Sequence, residues 1–478
     1  MIDATVVGSG PNGLAAAVTL ARAGLSVRVL EKAPTIGGGT RTLELTLPGF
    51  RHDVCSAVHP AAIASPFFRA FGLTDKVPFI VPEISYAHPL DNGEAGIAWR
   101  DLDRTVDGLG IDGRAWRSLF APLVERVAAV TAFTGNQLLR MPDSIPAAIL
   151  YGLRVLEHGS PLGNARFREA AAPALLAGVA AHAIGRMPSL AAGGAGLLLG
   201  THGHAGGWGY PVGGSQAIAD ALAADLLAHG GTIEVNTEVT SPGDLEPSRV
   251  TLLDTSPEFL AHFGGDRLPA RYRRALSRYR RGAGIAKVDF ALSAPVPWTN
   301  ELVRTAATVH LGGTREEIAR SENAVQAGAH PDNPYVLVTQ PSIHDSTRAP
   351  EGKHTLWAYI HVPRNSTVDP TEMVINQIER FAPGFRDVIL ASASRTARDV
   401  AAFNPNDVGG EMSGGEVTLA QLIKRPVVGI TPWRTPVEGL YLCSAATPPG
   451  PAVHGMNGWY AARLALADRF GIRDTPLR

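Results

Sequence analysis

A run of glycines near the start of the chain has the spacing of a nucleotide-binding turn. It follows the β-branched run Thr5 to Val7 and precedes apolar residues that recur at helical spacing. Such glycines allow a tight turn, close approach of a pyrophosphate, and close packing of helix on strand. The sequence therefore predicts that a dinucleotide phosphate binds where this helix begins. The turn consists of Gly8, Ser9, Gly10, Pro11, Asn12 and Gly13.

A carboxylate stands at the end of the next predicted strand, Ser26 to Leu30. This residue, Glu31, has the position from which a carboxylate accepts hydrogen bonds from ribose hydroxyls. The glycine turn alone does not separate NAD from FAD. A second strand, glycine turn and helix is not recognisable, because Gly193 to Gly196 follow no clear strand. A separate NAD(P) domain is therefore not expected.

Composition and the spacing of cysteines and histidines argue against several other kinds of function. The 478 residues include 43 Lys and Arg against 44 Asp and Glu, a net charge of −1, which disfavours nucleic-acid binding. Cys55 and Cys443 form no Cys-x-x-Cys pair, which argues against disulfide redox chemistry, an iron–sulfur cluster and a thiolate zinc site. His202 and His204 have no third ligand at a recognisable spacing, so no metal site is predicted. Few cysteines and no recognisable secretory signal predict a cytoplasmic protein.

The order of the predicted strands and helices indicates an α/β fold with two interleaved domains. A Rossmann-like FAD-binding domain is expected from residues 1–64, 206–262 and 426–478. A substrate domain of α+β type is expected from residues 65–205 and 263–425. Its first part reads as mainly helical to about Gly203, and alternating runs over residues 285–362 predict an antiparallel sheet.

The residues that follow the second strand resemble a longer family motif. Glu31 to Thr42 are similar to the extended motif of flavoproteins that include carotenoid desaturases and flavin amine oxidases. In that family a second glycine pair and an arginine approach the FAD pyrophosphate, and Arg41 suits a bidentate phosphate contact. The resemblance implies noncovalently bound FAD. The contacts that it implies here are Glu31, Lys32, Gly38, Gly39, Thr40 and Arg41.

Two later segments extend the resemblance over most of the chain. Pro211 to Ser215 and the following helix and strand resemble the family's second FAD segment, in which a residue near Val239 touches the adenine end. Tyr441 to Gly458 resembles the closing segment, whose backbone amides hold the flavin end. These segments resemble the phytoene-desaturase-related branch of that family. This resemblance implies contacts at Ala445, Gly455 and Met456, although Gly450-Pro451-Ala452 replaces the usual run of glycines.

Three residues are candidates for chemistry beside the flavin. His59 and His454 lie next to segments that the resemblance assigns to FAD, and each is either a proton shuttle or a structural histidine. The run around Lys287 resembles the strand of flavin amine oxidases whose lysine holds a water at flavin N5. The alternative is that Lys287 and Asp289, which share one strand face, form a solvated pair.

The resemblance favours FAD-dependent desaturation of a carbon–carbon bond in an apolar small molecule, with oxygen or a quinone as electron acceptor. Amine oxidation, double-bond isomerisation and a flavin-carrying interaction protein without turnover remain alternatives. Peripheral membrane contact is also open. Six arginines between Arg271 and Arg281 form either a solvated helix or a site for anionic lipid, and the weakly charged stretch Ala170 to Ala219 lines a tunnel or rests on a membrane.

Overall fold

The computed structural model describes residues 2–475 and 477 of the chain. The strands are β1 (Ile2–Val7), β2 (Val27–Leu30), β3 (Thr42–Glu44), β4 (Arg51–Asp53), β5 (Phe79–Ile80), β6 (Ile84–Pro89), β7 (Ala95–Trp99), β8 (Tyr210–Pro211), β9 (Thr232–Glu234), β10 (Ser248–Leu253), β11 (Gly284–Leu292), β12 (Thr308–Leu311), β13 (Val336–Thr339), β14 (His354–Val362), β15 (Ile389–Arg395) and β16 (Leu440–Leu442).

Helices connect and cover these strands. They are α1 (Pro11–Arg22), α2 (Pro60–Ala64), α3 (Pro66–Phe71), α4 (Leu73–Lys76), α5 (Leu102–Gly108), α6 (Gly113–Val124), α7 (Val127–Thr134), α8 (Ile145–His158), α9 (Ala171–Ala180), α10 (Leu190–Ala205), α11 (Gln216–Ala228), α12 (Pro257–Gly264), α13 (Ala270–Ser277), α14 (Glu301–Arg304), α15 (Arg315–Gln326), α16 (Thr371–Glu379), α17 (Ala397–Phe403), α18 (Leu419–Ile423) and α19 (Met456–Ala465).

A parallel sheet joins distant parts of the chain. Its strand order is β16-β10-β1-β2-β9, and every neighbouring pair is parallel. The apolar sides of α1, α11 and α19 form one buried cluster with the central strands. Because the strands are parallel, their carboxyl ends share one edge, which is where open α/β sheets bind ligands. The Rossmann-like part of the predicted fold is therefore present.

A second, seven-stranded sheet has the order β15-β11-β14-β13-β12-β6-β7. Its pairs are antiparallel except for β12 and β6, which run parallel. The prediction of a mainly helical segment from residue 65 onward is wrong at residues 79–99, because β6 and β7 form a hairpin at the edge of this sheet. Since all six residues of β6 are buried, its sequence lacks the alternation that marks a half-buried strand.

Helices α6 to α10 pack around a separate apolar cluster that contains Trp116, Phe120, Leu175 and Trp208. Among the residues that the structure describes, no helix combines the length and the apolar character needed to cross a bilayer. The boundaries of the two interleaved domains remain a prediction.

Candidate functional site

The glycine turn connects β1 to α1 at the carboxyl edge of the parallel sheet. Gly8 has a φ of +99°, and a β-carbon there would lie 2.9 Å from the Asp254 carbonyl oxygen. The residue that precedes α1, Gly10, has no side chain with which to cap the helix. The positive end of α1 is thus left to attract an anion.

Glu31 lies directly against this turn. One carboxylate oxygen accepts hydrogen bonds from the Ser9 backbone N–H at 2.9 Å and the Ser9 hydroxyl at 2.6 Å. The other accepts from the Ala33 backbone N–H at 2.8 Å. Beside it, Lys32 forms an ion pair with Glu238 at 2.7 Å, and the next residue, Val239, is buried. The residues expected at the ribose and adenine therefore lie next to one another.

The second glycine pair folds back onto the first turn. Gly37 donates its N–H to the Ser9 carbonyl at 3.0 Å, and a β-carbon on Gly38 would lie 3.1 Å from the Gly10 α-carbon. Gly39 and Thr40 continue the same short helical turn. Arg41 is buried and bonds within the protein, to the Thr35 carbonyl at 2.8 Å and to Glu31 at 3.3 Å. Its predicted phosphate contact remains a prediction.

The closing segment brings a second helix N-terminus to the same place. Gly455, with a φ of +67°, precedes α19, which begins at Met456. A β-carbon on Gly458 would lie only 1.8 Å from the Asn12 carbonyl oxygen, so α1 and α19 touch through their backbones. Ala445 belongs to the loop that leads from β16 into this segment. Three stretches that are far apart in sequence thus converge around the start of α1.

Asp254 is a site residue that sequence patterns did not reveal. It directly follows β10, and its Oδ2 accepts the Gly13 N–H at 2.9 Å. Burial raises the pKa of this carboxyl to about 7. A carboxyl group that faces the glycine turn makes the local charge depend on pH. Asp254 could have been found from its position directly after β10, because the carboxyl ends of parallel strands lie at the same edge of the sheet as the glycine turn.

Lys287 is buried on β11, with 1% of its side chain exposed, so the alternative of a solvated pair is wrong. Its ammonium pairs with Asp289 at 2.8 Å and donates to the carbonyls of Asp53 at 2.8 Å and Val54 at 2.9 Å. These bonds use all three N–H donors, which leaves none for a water. Burial lowers the pKa of Lys287 and raises that of Asp289. A catalytic role for this lysine remains a prediction.

The two candidate histidines make structural hydrogen bonds. His59 Nε2 lies 2.7 Å from the Ser215 hydroxyl. His454 Nδ1 accepts the Met456 N–H at 3.1 Å at the start of α19. Burial lowers the pKa of each imidazole to about 4, so both rings are neutral near pH 7. Their role as proton shuttles is untested and remains a prediction.

A second buried ion pair holds β4 in place. Arg348 and Asp53 are 2.6 Å apart, and each is 1% exposed. Asp53 also accepts hydrogen bonds from the Ser215 N–H at 2.8 Å and the Thr42 hydroxyl at 2.7 Å. Sequence patterns do not predict this network, because its partners lie up to 295 residues apart.

Two cavities bear on this arrangement. The smaller is lined by Gly38 and Gly39 together with Ile285, Arg395 and Phe403. The larger lies among α8, α9, α10 and α15. A buried apolar cluster connects the two. Ile285 belongs to that cluster, as do four residues of the larger cavity, Ala177, Ala180, Met187 and Ala192.

Comparison with known proteins supports the resemblance to a family of oxidoreductases with a Rossmann-like domain. A family profile described as an NAD(P)-binding Rossmann-like domain matches residues 6–71. Over 556 aligned positions the chain is 26% identical to pyridine nucleotide-disulfide oxidoreductase domain-containing protein 2 of Rattus norvegicus, covering 98% of this chain and 93% of that protein. The predicted resemblance is confirmed.

Two further similarities concern other oxidoreductases. A subunit of the limonene dehydrogenase of Castellaniella defragrans is 31% identical over 108 residues, which cover 22% of this chain and 19% of that protein. A double mutant of putrescine oxidase superposes with a TM-score of 0.64 at 18% identity, covering 98% of this chain and 99% of that one. The predicted fold class, a Rossmann-like domain interleaved with an α+β domain, is confirmed.

Proposed function

We propose that this protein is an FAD-dependent oxidoreductase that dehydrogenates a carbon–carbon bond of an apolar small molecule. The observation that carries the proposal is the convergence of the Gly8–Gly13 turn, Glu31, the Gly38–Gly39 pair and the N-terminus of α19. In this proposal the glycine turn holds the pyrophosphate, Glu31 binds the ribose, and the start of α19 lies at the flavin end.

The residues present fit such a dinucleotide. A β-carbon on Gly38 would lie 3.1 Å from the Gly10 α-carbon, and one on Gly10 would lie 2.7 Å from Asp254 Oδ2, so both positions require glycine. The carboxylate of Glu31 accepts hydrogen bonds from the Ser9 and Ala33 N–H groups, and in this proposal it also accepts hydrogen bonds from ribose hydroxyls. When bound, FAD would accept a hydride from the substrate. The chain's own part is to hold the dinucleotide, orient the substrate and exclude water.

Two buried ion pairs hold the seven-stranded sheet in position beside the first glycine-rich segment. The ammonium of Lys287 ties β11 of the seven-stranded sheet to the Asp53 and Val54 carbonyls, next to the first nucleotide-binding segment. The pair of Arg348 and Asp53 reinforces the same junction. These bonds fix the seven-stranded sheet relative to the Gly8–Gly13 turn. Rigid placement of reacting groups is a large part of catalysis.

The proposed substrate class follows from the lining of the larger cavity. Its walls are mostly apolar side chains such as Leu176, Ala180 and Met187. His158 contributes a buried Nε2 without a hydrogen-bond partner, and burial lowers the pKa of its imidazole to about 4. Apolar side chains predominate and the imidazole is neutral, so the cavity suits an uncharged, mainly lipophilic ligand. The polar part of the lining also includes Ser160, Asn164, Arg315 and Glu316.

Amine oxidation is the second candidate, favoured by the similarity to putrescine oxidase. Two observations weigh against it. All three donors of Lys287 are used within the protein, and the cavity lining includes one carboxylate, Glu316, which pairs with Arg315. The limonene dehydrogenase similarity points instead toward an apolar hydrocarbon.

Anaerobic titration of the purified holoprotein tests the proposal. Apolar alkenes and alkanes should bleach the visible absorbance of the oxidised flavin, whereas diamines should not. NADH and NADPH should reduce the flavin poorly, because no second nucleotide fold is recognisable. Oxygen or a quinone should restore the absorbance. Bleaching by amines alone would favour amine oxidation, and no bleaching by any compound would favour an isomerase or a protein without turnover.

A further inference from the structure

Helix α8 presents an unpartnered apolar face. Seven of the sixteen large apolar side chains that are exposed in the described part of the chain fall within residues 139–162. Four of them belong to α8 and are each 55 to 60% exposed. They are Ile145, Ile149, Leu153 and Leu156.

These four residues lie on one side of the helix. At 100° per residue they fall within an arc of about 80°. Ala147 and Tyr151 point to the opposite side and are buried. Most surface helices turn their apolar face toward the core, so an outward apolar face indicates a binding surface.

Neighbouring loops extend this surface. Leu139 and Met141 precede α8, and Leu162 follows it, all three exposed. Gln137 donates hydrogen bonds to the carbonyls of Ile423 at 3.1 Å and Gly429 at 3.0 Å. The bond to Gly429 holds the loop with exposed Val428 and Ile430 beside the start of the segment.

The apolar face of α8 itself carries little charge. Between Ile145 and Leu156 the only charged residue is Arg154, which bonds Glu157 at 2.9 Å and the Ser118 carbonyl at 3.1 Å. In the α13 region, Arg273, Arg280 and Arg281 likewise pair with carboxylates. The scarcity of charge along α8 favours insertion of its apolar side chains over attraction of its helix to anionic lipid.

The larger cavity opens beside this surface. His158 at the end of α8 and Ser160, Gly163 and Asn164 just after it line the cavity, and Asn164 is exposed. We propose that the apolar face of α8 docks on a lipid bilayer, so that a lipophilic substrate passes from the bilayer into this cavity. The choice of substrate rests on the proposed function, but the docking itself does not.

A second copy of the chain fits this surface less well. The exposed face of α8 is about 20 Å long and 10 Å wide. On α8 alone, this area of roughly 200 Å² is below the roughly 800 Å² per partner of a stable protein interface. A protein covering the face would also cover the cavity opening. An interfacial helix that inserts a few large apolar side chains requires no such area.

Flotation of the FAD-loaded protein with phosphatidylcholine vesicles tests the proposal. The parent should float with the vesicles, and Ile149→Glu/Leu153→Glu should lower the partition coefficient at least about tenfold. Leu227→Glu changes a leucine of similar exposure on α11 and should stay within about twofold of the parent. A parent that fails to float, or a double variant that floats like the parent, would overturn the proposal.

Two further measurements separate docking on lipid from dimerisation and from loss of the fold. Gel filtration that shows a dimeric parent and a monomeric double variant would assign the face to a second copy and overturn the proposal. Should the double variant lose its fold, Leu153→Trp replaces it, and brominated phosphatidylcholine should quench its fluorescence more than that of Leu227→Trp. Equal quenching would count against docking. Vesicle binding without substrate turnover would defeat the proposed function alone.

Discussion

Gly10 shows how much of the proposed nucleotide site depends on the absence of a side chain. A β-carbon there would lie 2.7 Å from Asp254 Oδ2, and a valine would also fill the space in front of α1. We expect Gly10→Val to lower FAD content at least about tenfold. Gly108→Ala, at an exposed glycine with no atom within 4 Å, serves as control. Absorbance of purified protein measures both, and a fully yellow Gly10→Val protein would refute this assignment.

Asp254 gives FAD binding a predicted pH dependence. Burial raises the pKa of its carboxyl to about 7, so the group gains a negative charge as the pH rises through 7. A carboxylate beside a pyrophosphate is repulsive, and FAD affinity should therefore fall between about pH 6 and pH 8. Asp254→Asn retains an acceptor for the Gly13 N–H and should remove this dependence. Fluorescence titration of apoprotein with FAD measures it, and parallel curves for both proteins would contradict the prediction.

Lys287 and Asp289 provide a test of a buried pair. Lys287→Met leaves the Asp289 carboxylate buried without its partner, which should lower the free energy of unfolding by about 3–5 kcal/mol. Lys287→Met/Asp289→Leu removes both charges and should recover part of that loss, since the Asp53 and Val54 carbonyls still lack their donor. Urea denaturation measures the difference. If the single variant is as stable as the parent but slows flavin reoxidation by oxygen, the lysine acts on the chemistry instead.

For single residues, the sequence predicted the strand or turn on which a residue lies better than it predicted the groups with which that residue bonds. The glycine turn and Glu31 could be placed because their spacing is local and their strand and helix adjoin them. Lys287 could be put on a strand, yet its bonds to Asp53 and Val54 span more than 230 residues. Asp254 carries no motif at all, so only the parallel sheet reveals that it faces the turn.

The contact between α1 and α19 is the element on which the site depends most. Gly458→Ala would place a carbon 1.8 Å from the Asn12 carbonyl oxygen and force the two helices apart. We expect a loss of about 1–3 kcal/mol in unfolding free energy together with lower FAD occupancy. Gly152→Ala, in α8 with no atom nearby, should leave both unchanged or slightly increase stability. Thermal unfolding and flavin content measure the two effects, and an unaltered Gly458→Ala would contradict this packing.

Element prediction from sequence succeeded where periodicity was strong and failed where pairing was nonlocal. Strands β1, β2 and β11 and helix α11 follow their sequence patterns closely. Strands β6 and β7 did not stand out, because β6 is buried on both faces and is held by β12, more than 200 residues away. The outward face of α8 was also missed, since an apolar stripe normally predicts contact with the core.

For the whole molecule, buried histidines should make stability depend on pH. Burial lowers the pKa of six imidazoles to about 4, below the usual value of 6.5. The unfolded chain therefore binds more protons between pH 6.5 and 4, and stability present above 6.5 is lost as the pH falls. Two carboxyls raised to about 7, Asp254 and Asp407, oppose this trend but are fewer.

Urea midpoints at pH 7.5 and pH 5 measure this dependence, with the lower midpoint expected at pH 5. His59→Asn keeps a hydrogen-bonding group for Ser215 but does not titrate. It should shrink the difference in unfolding free energy between the two pH values by about 1–2 kcal/mol. Equal stability at both pH values would mean that these histidines are not held neutral by the fold.

The central claim is that the converging nucleotide segments hold FAD for a redox reaction. The most direct test is the identity and amount of the dinucleotide released when the purified protein is denatured. The account predicts intact, noncovalently bound FAD at one molecule per chain, and loss of that FAD in Gly10→Val. Release of NAD or NADP in place of FAD, or a parent that binds no FAD when it is supplied, would contradict it.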